Sequence, residues 1–285
     1  MLALTRLVLV SACLLGAALV AMADELPQNT NQIQSLTVEQ AKRLVAEVKV
    51  DGLSLNGLTT LDADTATALA KFTGQTLDLN GVTTLDADTA TALAEFEGRL
   101  LFLDGLTTLD AEAAKALSQY KGGTLSLDGV TTLDAATAKA LAEFKGLHLS
   151  LDSLTTLNAD TAKVLTATQA WDGCLSNLTT LDAATAKALV EFKGARLHLG
   201  GLATLDADTA KALAAYKGEE LYLNGLQRAS SGAVRALRQN PNIDMPNHWY
   251  LLRYEIAALG GTVVFVVLAG VVVWYSRRHR DTALN

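Results

Sequence analysis

A thiol, two imidazoles and a carboxylate stand one repeat apart in the middle of the chain: His148, Asp172, Cys174 and His198. A cysteine beside a histidine is the minimal pair for a nucleophilic thiolate, and the four side chains together are of metal-ligating type. Either chemistry needs more. Acyl transfer needs donors aimed at an oxyanion, and a zinc site needs ligand spacing that closes a tetrahedron. The sequence has no oxyanion-binding turn that can be argued, no Cys pair for zinc, no phosphate-binding Gly loop and no catalytic Ser motif. The Asp-x-Asp of LDAD at 61–64, 85–88 and 205–208 lacks the further oxygen ligands of a calcium loop, and a helix cap followed by a first-turn acid explains it. Asn177-Leu178-Thr179 matches a glycosylation sequon, a hit that a Thr-rich chain produces by accident. The expectation is a non-catalytic protein with no cofactor and no metal. A cryptic enzyme or metal site around repeats five to seven is the alternative.

The elements that position these residues belong to a repeat. Eight units of 24 residues fill 53–244, beginning at Leu53, Leu77, Leu101, Leu125, Leu149, Gly173, Leu197 and Leu221. A fixed period of this size signals units that bury their apolar side only against their neighbours. Within the first unit, Leu53 and Leu55 alternate with Ser54 at the two-residue period of a strand. Asn56-Gly57 turns the chain, and Leu58 and Leu61 continue the core. Asp62 stands at a helix N-cap, ADTATALAKF reads as a helix over 63–72, and Gly74 ends it. Ala66, Leu69 and Phe72 share one helical face, while Asp64 and Lys71 face water. A competing reading pairs LSL with LTTL across Asn56-Gly57 as a hairpin, because Asn-Gly between apolar residues is also a hairpin signal.

The motif LxLxGLTTLDAxTAKAL, seen at 125–141 as LSLDGVTTLDAATAKAL, resembles leucine-rich repeats of the bacterial cell-surface kind. The resemblance covers all eight units. It implies an α/β leucine-rich-repeat-like solenoid, with parallel strands on one face, short helices on the other, and binding or adhesion as its work. Where the commonest leucine-rich pattern has an inward Asn, this chain has Leu58, Val82, Leu106, Val130, Leu154, Leu178, Leu202 and Leu226, so the usual asparagine ladder is expected to be missing. The strand face is the usual recognition surface of such solenoids. Its outward positions vary from unit to unit while the core letters barely change. Candidate ligand-binding residues there are Asp78, Phe102, Asp104, His148, Asp172, Cys174, Arg196, His198 and Tyr222. Unit five ends TATQAWDG at 166–173, with Ala170 replacing the helix-ending Gly and Gly173 replacing the next Leu. The stack is expected to be weakest here, with Trp171 filling the gap.

The two ends differ from the body. Residues 1–23 read as a signal peptide ending in Ala21-Met22-Ala23; a lipidated Cys13 and an uncleaved anchor are rival readings. Residues 24–52 form an N-terminal capping region whose helix begins with a Thr37–Gln40 box. After a juxtamembrane linker at 245–255, residues 256–275 are twenty residues without a charge, long enough for a transmembrane helix. Arg277, Arg278 and Arg280 make 276–285 a short basic tail expected in the cytoplasm. The body then lies outside. After signal removal Cys174 is its one thiol, so no intramolecular disulfide forms.

The chain is 50% hydrophobic, only 5% aromatic and 19% charged, which excludes a disordered polyelectrolyte. Between Asp24 and His248 there are 18 basic and 28 acidic residues, a net charge of −10 that repels phosphate backbones and argues against nucleic acid. The expected function is a membrane-anchored, extracytoplasmic binding or adhesion protein for a protein or cell-envelope polymer. A structural spacer or envelope-lattice element is the runner-up.

Overall fold

The computed structural model describes residues 29–246 and two further strands, Val263–Val267 and Val272–Ser276. The body is α/β with parallel strands. A short 3-10 turn, Thr30–Gln32, precedes α1 (Val38–Glu47), and each unit then supplies a strand and a helix, except the unit from Gly173, which has a helix but only an isolated bridge at Cys174 in place of a strand. The strands β1 (Gly52–Ser54), β2 (Thr76–Asp78), β3 (Leu100–Phe102), β4 (Thr124–Ser126) and β5 (His148–Ser150) form one parallel sheet in sequence order. Its register sets Leu53 against Leu77, Leu77 against Leu101, and so on to Leu149, each partner 24 residues on. A three-stranded parallel sheet follows, with β8 (Glu220–Tyr222) between β6 (Arg196–His198) and β10 (Ile243–Asp244). A small second ladder pairs β7 (Thr204–Leu205) with β9 (Arg228–Ala229).

The helices are α2 (Ala63–Leu69), α3 (Ala87–Ala94), α4 (Ala111–Leu117), α5 (Ala135–Leu141), α6 (Ala159–Ala167), α7 (Ala183–Leu189), α8 (Ala207–Leu213) and α9 (Ser231–Leu237). Each is capped by the side chain expected from its position. Asp62 accepts from Thr65 N at 2.8 Å, Asp134 from Thr137 N at 2.7 Å and Ser230 from Ala233 N at 3.1 Å. The Thr37–Gln40 capping box is formed at α1. Strand and helix close on one continuous core in which Leu79, Leu103, Leu127 and Leu151 are all fully buried.

The helix expected over 63–72 is shorter, because α2 stops at Leu69 and Ala70 caps it in the right-handed region. Phe72 therefore reaches the core from the turn, and Gly74 is not a left-handed cap; a Cβ there would strike the Phe72 ring. The competing hairpin is replaced by a tight turn in which Leu58 N donates to Leu55 O at 2.9 Å, and the turn recurs at Val82, Leu106 and Val130. Its glycine has no positive φ. It is needed because a Cβ on Gly57, Gly81 or Gly105 would run into backbone carbonyls of the preceding turn.

Of the span 256–275, expected as a transmembrane helix, only two five-residue stretches are among the described residues. There β11 (Val263–Val267) and β12 (Val272–Ser276) pair antiparallel, Val263 opposite Ser276 and Val267 opposite Val272. No helix among the described residues is long and apolar enough to cross a membrane. The signal peptide at 1–23, the linker beyond Pro246 and the tail beyond Ser276 lie outside the described residues.

Candidate functional site

The strand face carries an unforeseen polar ladder. In units one to five the fourth residue accepts, through its side-chain oxygen, the backbone N–H of the fourth residue of the next unit, and Asn31 ahead of the array begins the series. Asn31 receives Asn56 N at 3.1 Å, Asn56 receives Asn80 N at 3.1 Å, and Asn80 receives Asp104 N at 2.8 Å. Asp104 then receives Asp128 N at 3.0 Å, Asp128 receives Asp152 N at 2.9 Å, and Asp152 receives Ser176 N at 2.6 Å. The ladder ends at Ser176 N, and Gly200 has no side chain to resume it. A backbone N–H that points away from a strand pairing needs an acceptor, and the ladder supplies one for each unit as far as Ser176. The hydroxyls of Ser126 and Ser150 donate to Asp104 and Asp128 and hold these carboxylates in place.

This sorts the nine candidate residues. Asp78 accepts from Ser54 Oγ and Asn56 Nδ2, both at 2.9 Å, and from Asn80 N at 3.2 Å. Asp104 is a ladder rung, and Asp172 accepts from Cys174 N at 2.9 Å. These three carboxylates serve the fold. Phe102 is half-buried on the face, and His148 is exposed. Farther along, Arg196, His198, Glu220 and Tyr222 form one surface group: the His198 and Tyr222 rings stack at 4.4 Å and 14°, Arg196 Nε lies 3.3 Å from Glu220 Oε2, and Tyr222 OH donates to the same carboxylate.

Cys174 and His198 do meet on neighbouring rungs, joined by a parallel bridge. Their side chains point to other partners: the thiol bonds to Asp172, and the imidazole lies on Tyr222. Burial, followed by the charges of Asp172, Asp152 and Asp128, pushes the Cys174 thiol up to about 12. Nucleophilic cysteines sit in electropositive surroundings, and this one does not. Burial is also the chief reason that the Asp172 carboxyl is raised, with repulsion from Asp128 and Asp152 adding to it. Among the described residues no group of three or more His, Cys, Asp or Glu is arranged to hold a metal ion.

Neither a protein-family model nor a curated protein sequence matches the chain.

In the irregular unit Trp171 fills the gap left by Leu as expected, and the register around it shifts. Leu149 pairs with Trp171, 22 residues on, whereas Cys174 pairs with His198 at the regular 24. Gly173 absorbs the difference with φ +81°, the one positive-φ glycine among the described residues. Trp171, 3% exposed, fills the core in place of the missing Leu and meets the Phe192 ring at 4.7 Å and 58°. The substitution was visible in the sequence; the shift in register was not, because reading Gly173 as a decayed Leu preserves the period. The fourth-position ladder was missed because its letters, Asn, Asp and Ser, are also turn formers.

Proposed function

We propose that the protein is a leucine-rich-repeat-like solenoid that binds an extracytoplasmic partner through its strand face, anchored to a membrane by its apolar C-terminal segment. One contrast carries the reading. In the row between the buried leucines, the outward residue runs from Ser54 through Asp78, Phe102, Ser126, Ser150 and Cys174 to His198 and Tyr222, while the inward neighbours stay Leu except at Gly173. A face whose geometry is constant and whose chemistry is graded suits recognition. The group around His198 and Tyr222 is its best-formed part, since stacked rings beside an Arg–Glu pair offer a flat surface with polar edges. A protein or an envelope polymer fits such a surface, and the acidic body disfavours nucleic acid. The apolar 20-residue segment and the basic residues after it support single-pass anchoring with the body outside.

The test is binding of the full chain to isolated cell-envelope material and to intact cells, compared with an Arg196→Glu, His198→Ala, Tyr222→Glu variant. The variant is expected to lose about tenfold or more in affinity, as removal of a central aromatic and Arg group does. Undiminished binding would reject the strand face. The spacer reading draws on the uniform ladder of β1 to β5, and it expects the triple variant to work normally and deletion of one whole unit to fail.

A further inference from the structure

On the helix side, four rings stand in a column: Phe72, Phe96, Tyr120 and Phe144 stack nearly parallel at 6.4, 6.2 and 6.3 Å. The next rung, one repeat on, is Thr168, and the ring after it is Phe192. A ring is missing between them. Helix α6 runs two residues longer than the seven of α5 and α7, and Trp171 is drawn in at a tilt from behind the missing rung. Between α6 and α7 this leaves an open cleft of about 1140 Å³, bounded by Thr168, Trp171, Ala188 and Phe192. That is slightly more than the roughly 300–1,000 Å³ of a small-molecule site, and its walls are mainly apolar.

The rim is cationic. Lys163, Lys187 and Lys193 line it against Glu191 alone among the lining residues, and Lys163 lies 3.8 Å from Asp160 on its own helix. Lysines recur at the same places in other units, at Lys139 and Lys145 for example. Here they surround a hollow. On a body of net negative charge, an apolar floor under a cationic mouth selects an amphipathic anion. We propose that the cleft binds a long-chain alkyl carboxylate, its chain against Trp171 and Phe192 and its head among Lys187 and Lys193. The site is on the opposite side from the strand face and is independent of what that face binds.

Dodecanoate, kept below its micelle concentration, is titrated into the full chain while tryptophan fluorescence is followed. A Trp171→Phe chain gives the signal of Trp249 and Trp274 to be subtracted. A saturable change assigned to Trp171 is expected. Lys187→Glu with Lys193→Glu, both exposed changes, should weaken binding about tenfold, since two attractive charges become repulsive at a partly exposed mouth. Dodecyltrimethylammonium, of equal chain length and opposite charge, should bind at least as much more weakly. Thr168→Phe, which restores the absent ring, should abolish the dodecanoate response with the circular dichroism unchanged; if that variant does not fold, the charge pair decides. No saturable Trp171 signal, equal binding of the cationic amphiphile, or an unchanged affinity after charge reversal would overturn the proposal.

Discussion

Trp171 occupies the ladder place beside Leu149 that the 24-residue period assigns to Gly173. The chain returns to its period within three residues, since Cys174 already pairs with His198. Everything that the return requires falls on Gly173, which adopts φ +81° and whose missing Cβ would otherwise strike Arg196 O and the Phe192 ring.

Gly173→Ala is therefore expected to cost about 2 kcal/mol or more, combining left-handed strain with a backbone clash. Gly200→Ala is the control. A Cβ there meets nothing within 4 Å and φ is not positive, so about 0.4–1 kcal/mol of stabilisation is expected through the unfolded state. Urea denaturation of the two variants checks the pair, and equal effects would contradict the register change.

The fourth-position ladder distinguishes alanine from asparagine. Asp128→Ala removes the acceptor of Asp152 N and Ser150 Oγ and is expected to cost about 1–3 kcal/mol. Asp128→Asn keeps an oxygen in place and relieves repulsion toward Asp172, so its midpoint should lie near or above that of the parent. Denaturation midpoints at low and high salt measure both.

Acid acts on two classes of carboxylate with opposite sign. Hydrogen bonds from the Thr residues of the first turn hold Asp86, Asp134, Asp182 and Asp206 below the usual 3.8. Their stabilisation is complete above 3.8 and is lost as pH falls through the folded values. Asp172 is raised, so its contribution is present below 3.8 and is lost as pH rises through its folded value. Asp172→Asn should thus stabilise the protein at neutral pH and make no difference near pH 3, as denaturation across that range would show.

Cys174 should react slowly. With its thiol at about 12, alkylation by iodoacetamide at pH 8 is expected to be at least about a hundredfold slower than that of a free cysteine, rising with pH. A Cys13→Ser background isolates the signal. Fast reaction at neutral pH would reopen the question of a nucleophilic pair with His198.

The parallel ladder was legible from the sequence because a unit with two inward leucines, such as Leu77 and Leu79, can bury both only between neighbours of the same phase. Caps were legible too, since Asp at the start of an Ala-rich run has a specific orphan N–H to satisfy. The helix length was overstated because Phe72 shares the period of Ala66 and Leu69 although it leaves the helix and folds back. On the candidate face, sequence alternation showed which residues face outward. It did not show that Asp104 spends an oxygen on the backbone amide of Asp128 one unit on, a bond that depends on how closely units approach, nor that Asp78 and Asp172 turn theirs to the amides of Asn80 and Cys174 two residues ahead. The cleft has only one sequence signal, Thr168 at a place where rings stand in the preceding four units.

The ladder also bears on chemical ageing. Asn80 precedes Gly81, a dipeptide whose amide hydrolyses readily in loose chains. Its Oδ1 receives Asp104 N in the same way that the carboxylates of Asp104 and Asp128 receive their partners one and two units on. Of the two products of ammonia loss through the cyclic imide, a normal aspartyl residue would leave that rung holding, whereas the isoaspartyl product lengthens the backbone at Asn80 and would shift the rung from Asp104 N.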